Sequence, residues 1–190
     1  MSKNKSQSVL IIECLDPKDP GSEGDFLRHM FKLMQINCDH ERINTQKEML
    51  DLLRLSQHQN IHITTHGSLD EKERFTGLWT TDGEFNINHF ASLQGKLRSK
   101  NIVVTACKAF DGKFNKAFVE LTFCSHFIAP RESVSFISSI YFSHIYYHKY
   151  FINNKSVSTV YTDYIDIYKN PYKFSLESFE SLKRKAKNPN

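Results

Sequence analysis

The chain alternates between short continuous apolar runs and segments whose apolar residues recur at helical spacing. Val9-Leu10-Ile11-Ile12-Glu13-Cys14 is a run of strand length, and Asp16-Pro17-Lys18-Asp19-Pro20-Gly21 breaks regular structure after it. From Gly24 onward, Phe26, Leu27, Met30, Phe31, Leu33 and Met34 fall as on one helix, and a short strand near Cys38 to Ile43 follows. Thr45 can cap a helix carrying Met49, Leu50, Leu52, Leu53 and Leu55, and a third strand begins at Asn60. This β-α-β-α-β order predicts a parallel sheet with right-handed crossovers.

Beyond that strand, Thr81-Asp82-Gly83-Glu84 is a turn signal between Gly77-Leu78-Trp79 and Phe85-Asn86-Ile87, which predicts a small hairpin. Asn88 can cap a helix with Phe90, Leu93 and Leu97, which leads into the run Asn101 to Cys107. Phe114, Phe118 and Leu121 mark the next helix, and His126-Phe127-Ile128-Ala129 a fifth strand. Helices are predicted from about Val134 to Ile152 and from about Ser156 to Tyr168, the second stopped by Asn170-Pro171. Tyr172, Phe174 and Leu176 alternate as in an edge strand. There is no internal repeat and no long linker. The pattern predicts a single α/β domain over residues 1–182, with a mostly parallel sheet of about six strands, and a basic, disordered tail over 183–190.

Two of the apolar runs stop on residues capable of chemistry. Asn60-Ile61-His62-Ile63-Thr64-Thr65-His66-Gly67 delivers a histidine before a glycine, and Asn101-Ile102-Val103-Val104-Thr105-Ala106-Cys107 delivers a cysteine. Sites in parallel α/β sheets gather at the carboxyl ends of strands. Neighbouring strands lie about 4.8 Å apart, so residues at their ends can meet. A thiolate is the nucleophile and a nearby imidazole promotes it, so His66 and Cys107 are a candidate dyad. The amides of Gly67 and Cys107 are candidate donors to a developing oxyanion. A flexible turn at Gly67 would let His66 lean toward Cys107, and the missing side chain would leave room for a substrate carbonyl.

Composition narrows the partners. With 15 Phe, 8 Tyr and 39% hydrophobic residues the chain is globular. The formal charge is +4, but Lys183, Arg184, Lys185 and Lys187 supply it, and residues 1–180 are formally neutral. A solvated tail is therefore expected, with no specific nucleic-acid site. The four cysteines, Cys14, Cys38, Cys107 and Cys124, form no CxxC pair, and no apolar signal core follows the polar start. Free thiols and a cytoplasmic setting are expected. The greasiest stretch, Val134 to Ile152, holds His144, His148 and Lys149, which argues for a buried helix and against a membrane span. His144, His148, Cys124 and His126 could be drawn together as a zinc set, but no His-Glu-x-x-His pattern is present and packing is favoured. No metal and no cofactor are expected, and no phosphate loop or dinucleotide fingerprint occurs.

The two blocks together resemble the signature of caspase-like cysteine peptidases, a grouping of caspases, metacaspases, separases, gingipains and bacterial CHAT proteins. Ile61 to Gly67 matches the first block and Ile102 to Cys107 the second. The intervening Gly77-Leu78, Asp82-Gly83, Phe90 and Leu93 are similar to the hairpin and helix of small CHAT-type members. The resemblance spans roughly residues 9 to 150. It implies a three-layer caspase-like fold with helices on both sheet faces, and a peptide-bond hydrolase with His66 as acid–base and Cys107 as nucleophile. It also implies a polypeptide substrate and, in bacteria, a part in cell death or phage defence. The family continues Cys-Arg-Gly where this chain has Cys107-Lys108-Ala109. In several members the residue two before the nucleophile lines the substrate pocket. Thr105 stands there, and it gives no support for basic specificity. No long cleavable linker follows Cys107, so activation by a regulatory protein or small molecule is expected, and the aromatic helix leaves room for a homo-oligomer. The alternative is an inactive member of the fold that serves as an interaction or signal-binding module.

Overall fold

A computed structural model describes residues 8–16, 18–169 and 173–187. Its centre is a sheet of six strands in the order β2-β1-β3-β7-β8-β9. The strands are β1 (Ser8–Glu13), β2 (Asn37–Arg42), β3 (Asn60–Thr64), β7 (Asn101–Val104), β8 (His126–Pro130) and β9 (Phe174–Ser178). All neighbours pair parallel except β8 and β9. The inner strands are covered on both faces, which is why β1, β3 and β7 read as continuous apolar runs.

The chain runs from β1 outward to β2 and then back past β1 to β3. Right-handed crossovers in opposite directions put the connecting helices on opposite faces. Accordingly, α1 (Glu23–Leu33) packs on one face with α5 (Phe136–Tyr147) and α6 (Val157–Tyr168), over Val9, Ile11, Val103 and Ile128. On the other face lie α2 (Gln46–Leu55), α4 (Lys113–Thr122) and Leu182 of α7 (Phe179–Lys187), over Leu10, Ile12, Ile61, Ile63, Ile102 and Val104. A second, antiparallel sheet of β4 (Gly67–Leu69), β5 (Phe75–Thr80) and β6 (Gly83–Phe85) joins that second face. The layers are those expected of a three-layer α/β fold.

Local chemistry explains the helix starts. Thr45 and Glu48 form a capping box, and Ser22, Ser135 and Ser156 each accept from an amide in the first turn of their helix. The short helix α3 (Ile87–Phe90) is capped by Asn86 and not by the expected Asn88, because Asn86 already accepts from the Asn88 amide at 3.1 Å. The helix expected over Val134 to Ile152 is α5, extended by a wider turn over His148–Ile152. The segment expected to be a disordered basic tail is helical as far as Lys187, since Phe179 and Leu182 of α7 anchor against the core. The stop at Asn170-Pro171 and the strand start at Tyr172 lie outside the described residues. No helix among the described residues is long and apolar enough to cross a membrane.

Aromatic packing concentrates under α4. Phe118 is fully buried, with Phe90 at 4.9 Å and Phe127 at 5.2 Å between ring centroids. Truncating it removes contacts on three elements at once. Phe118→Ala is expected to lower the unfolding free energy by about 3–5 kcal/mol, measured as a fall in the denaturant midpoint.

Candidate active site

β3 and β7 are neighbours, with His62 opposite Val103 and Ile63 opposite Val104, so both blocks leave the sheet side by side at its carboxyl edge. The Thr105 amide donates to the Ile63 carbonyl at 3.0 Å and carries the pairing one step past β7. Ala106 to Ala109 then form a tight turn, closed by the Ala109 amide donating to the Ala106 carbonyl at 3.3 Å, with Lys108 at φ 58°. The Lys108 amide donates to Glu132 at 3.1 Å, which ties this turn to the end of β8. Cys107 sits at the apex, half-buried.

Gly67 is the point where the two blocks touch. A Cβ placed on it would lie 2.1 Å from the Cys107 carbonyl oxygen and 3.1 Å from its carbon. The flexible turn expected here is absent: Gly67 opens β4, paired with Leu78 of β5. Its missing side chain clears the main chain of Cys107, not a substrate. This contact holds the residue after His66 against the peptide of Cys107.

His66 and Cys107 line one cavity of about 290 Å³, close to the lower end of the roughly 300–1,000 Å³ usual for ligand sites. The His66 ring is half exposed, with Nε2 2.7 Å from Oδ1 of Asp19 and the Trp79 ring set edge-on at 6.1 Å. The Cys107 sulfur accepts from the Val134 amide at 3.4 Å and donates to the Val134 carbonyl at 3.5 Å. Among the described residues, no hydrogen bond joins Cys107 to His66, and the Cys107 amide donates to no protein acceptor. The cavity opens at the crevice beside β1, where the chain reverses its winding. Open α/β sheets place their ligands at such switch points.

Leu15, Pro20, Val134 and Phe136 form apolar walls, while Thr64, Thr105, Ser139 and Glu23 line the buried part. Glu23 is only 2% exposed, yet its carboxylate is well supplied with donors. Thr105 and Thr64 hydroxyls donate to Oε2 at 2.9 and 3.0 Å. Ser143 donates to Oε1 at 3.2 Å, and His62 Nε2 lies 3.2 Å from the same oxygen. Those bonds offset the cost of burying a charge. Thr105 lines the cavity, and its hydroxyl is spent on Glu23. The lining thus carries two acidic side chains, Asp19 and Glu23, and no lysine or arginine.

Neither acid is legible as a site residue in the sequence. Glu23 follows the Ser22 cap as acids commonly do in a first helical turn, and Asp19 lies in a segment that reads only as a break. Glu23 is placed by a third acid, and Asp19 by bonds to Asp16 within its own turn. Glu13 ends β1 fully buried, accepts from the Gly24 amide at 2.8 Å and from the Ser22 hydroxyl, and lies 2.9 Å from His40 Nε2. That network docks the start of α1 onto the sheet edge.

Burial pushes the thiol of Cys14 up to about 11 and those of Cys38 and Cys124 up to about 12. A more open depression of about 360 Å³ beside α1 and β2 is lined by Arg28, His29, Lys32 and Cys38. It is larger than the Cys107 cavity, and burial holds its one lining thiol, that of Cys38, protonated. Among the described residues, no group of three or more His, Cys, Asp or Glu is arranged to hold a metal ion. His144 and His148 stand on the exposed side of the helix, with ring centroids 6.2 Å apart.

The tightest constraint on this site is the glycine. Gly67→Ala is expected to force β4 away from the Cys107 turn, at a cost of about 1–3 kcal/mol, seen as a lower denaturant midpoint together with a change in the Trp79 fluorescence spectrum.

No protein-family model matches the sequence, and no curated protein does. The fold has solved counterparts. The crystal structure of drICE, a caspase, matches with a TM-score of 0.52 at 13% identity, covering 93% of this chain and 89% of that one. Flavodoxin 2 from Bacillus cereus matches at 0.36 and 12% identity, over 67% of this chain and 80% of its own. The sugar isomerase domain of an RpiR transcription factor from Sphaerobacter thermophilus matches at 0.41 and 10% identity, over 84% and 78%. Those two scores are too low to carry an argument. The likeness to drICE concerns the fold alone, and over nearly its whole length this chain has a caspase-like α/β fold.

Proposed function

We propose that the chain is a cysteine peptidase in which Cys107 is the nucleophile and His66 the acid–base. The observation that carries this reading is the contact of Gly67 with the Cys107 carbonyl, which sets a histidine and a thiol at one cavity on adjacent strand ends. In the first step the thiol proton passes to the imidazole. The sulfur lone pair then forms a bond to the scissile carbonyl carbon, whose π electrons move to oxygen. The free Cys107 amide, with that of Gly67, is the donor set for this oxyanion. Collapse expels the amine, which takes the proton from His66, and leaves a thioester. Water, deprotonated by His66, hydrolyses the thioester.

The hydrogen bonds between the Cys107 sulfur and Val134 support a resting state for such an enzyme, since the segment that starts α5 occupies the thiol. A partner protein or small molecule that shifts Val134 would release it. The same observation favours the second reading, an inactive module of this fold in which Cys107 is a packing residue. A setting in bacterial cell death or phage defence rests on the resemblance of the two sequence blocks only.

Alkylation separates the two readings. Iodoacetamide at pH 8 is expected to modify Cys107 ahead of Cys14, Cys38 and Cys124, whose thiols stay protonated there. Exposure alone would favour Cys107 over the buried Cys14 and Cys124, so His66→Ala is the deciding arm. A base within reach predicts a loss of about a hundredfold in that variant, whereas an unchanged rate would leave the inactive module as the reading. The acidic lining makes a further forecast for peptide substrates. Among peptides that differ only in the residue before the cut, an acidic one is expected to be cleaved at least about tenfold more slowly than a neutral or basic one, measured as kcat/KM.

A further inference from the structure

We infer that Asp19 is the positioning residue of the site, which makes the dyad a Cys107–His66–Asp19 triad. The inference rests on the peptidase reading above and deepens it. Asp19 Oδ1 lies 2.7 Å from His66 Nε2, and the Asp19 side chain is only 17% exposed while the ring it touches is half open to solvent. Its other oxygen, Oδ2, accepts from the Asp16 amide at 2.8 Å, and the Asp19 amide donates to the Asp16 carbonyl at 2.9 Å. The carboxylate is therefore held from within its own turn, and only one oxygen is offered to the histidine.

The consequence follows from hydrogen-bond chemistry. An ionised carboxylate can only accept, so Nε2 must carry a proton and the lone pair of the neutral ring must sit on Nδ1. Among the described residues, no hydrogen bond engages Nδ1. The free base is thereby assigned to one nitrogen. When the thiol S–H bond breaks and its proton joins Nδ1, the imidazolium that forms is already facing a negative charge. The negative charge also favours the thiolate–imidazolium pair over the neutral pair.

The other titratable groups around His66 do not supply this function. Glu23 lines the same cavity but its oxygens are taken by Thr64, Thr105, Ser143 and His62. Cys14 also lines it, with a thiol pushed up to about 11 by burial, and β5 presents the uncharged Trp79. On the outer side of Asp19, a depression lined by Asp16, Asp25 and Arg42 carries the nearest surface charges, and Arg42 is engaged by Asp25 and Glu13.

The test is the pH profile of Cys107 alkylation in the full chain, read by mass spectrometry between pH 5.5 and 9.5, for wild type, Asp19→Asn, Asp19→Ala, Asp19→Glu and His66→Ala. Wild type is expected to hold its rate toward acid pH, as an ion pair does. Asp19→Asn keeps an acceptor and loses the charge, so its rate at pH 7 is expected to fall about tenfold, with the deficit shrinking toward pH 9.5. Asp19→Ala should fall further, and Asp19→Glu should recover most of the loss. Circular dichroism confirms folding of each variant, and the glutamate rescue keeps the comparison valid where the alanine variant unfolds. Wild-type profiles in Asp19→Asn and Asp19→Ala, with loss in His66→Ala, would overturn the triad while leaving the dyad. An unaltered profile in His66→Ala would overturn the dyad as well.

Discussion

A main-chain contact governs this protein: Gly67 lies where any Cβ would meet the Cys107 carbonyl oxygen at 2.1 Å. Sheet pairing brings β3 and β7 together, but it ends with the Thr105 amide on the Ile63 carbonyl, one step past Val104. What keeps the ends of the two blocks in register is the packing of one peptide on another, without an intervening side chain. Because Gly67 also begins β4, the contact links the six-stranded sheet to the small three-stranded one. A substitution there is felt in both sheets and in the turn that carries the thiol.

The second organising element is the row of acids along the carboxyl edge of β1. Glu13 ends the strand, Asp19 lies in the loop and Glu23 opens α1. Burying carboxylates in a sheet edge is costly unless each oxygen finds donors, and here the amide of Gly24 and the hydroxyls of Ser22, Thr64, Thr105 and Ser143 supply them. Hydrophobic packing would hold the sheet more cheaply. The polar arrangement instead docks α1 with a defined geometry and leaves a negative lining beside a histidine and a cysteine. Stability is traded there for a shaped and charged cavity.

Much of this was readable in one dimension. Continuous apolar runs of strand length, separated by helical stripes, imply a parallel sheet covered on both faces, because only burial on both sides removes the polar alternation. Thr45 announces its helix by side-chain chemistry that acts within a few residues, and the structure shows Ser22, Ser135 and Ser156 capping theirs in the same way. His66 and Cys107 stand out for the same reason, as reactive side chains at the ends of β-branched runs. The errors were local too. Asn86 and Asn88 are both good caps, and only the path of the chain into α3 selects the first. The charge of Lys183, Arg184 and Lys185 suggested a disordered tail; these side chains are exposed, but two apolar neighbours, Phe179 and Leu182, were enough to seat a helix.

The sequence by itself determined the element order, the sheet type and the two apolar runs that lead to His66 and Cys107, since periodicity and chain reversal are short-range consequences of side-chain pattern. Only the tertiary structure decided which oxygens face the site. Asp19 lies 47 residues from His66, and Glu23 lies 41 from Thr64 and 82 from Thr105. Bonds across such separations leave no periodic trace. The role of Gly67 belongs to the same class: its identity is plain in the sequence, but the atom it makes room for lies on another strand.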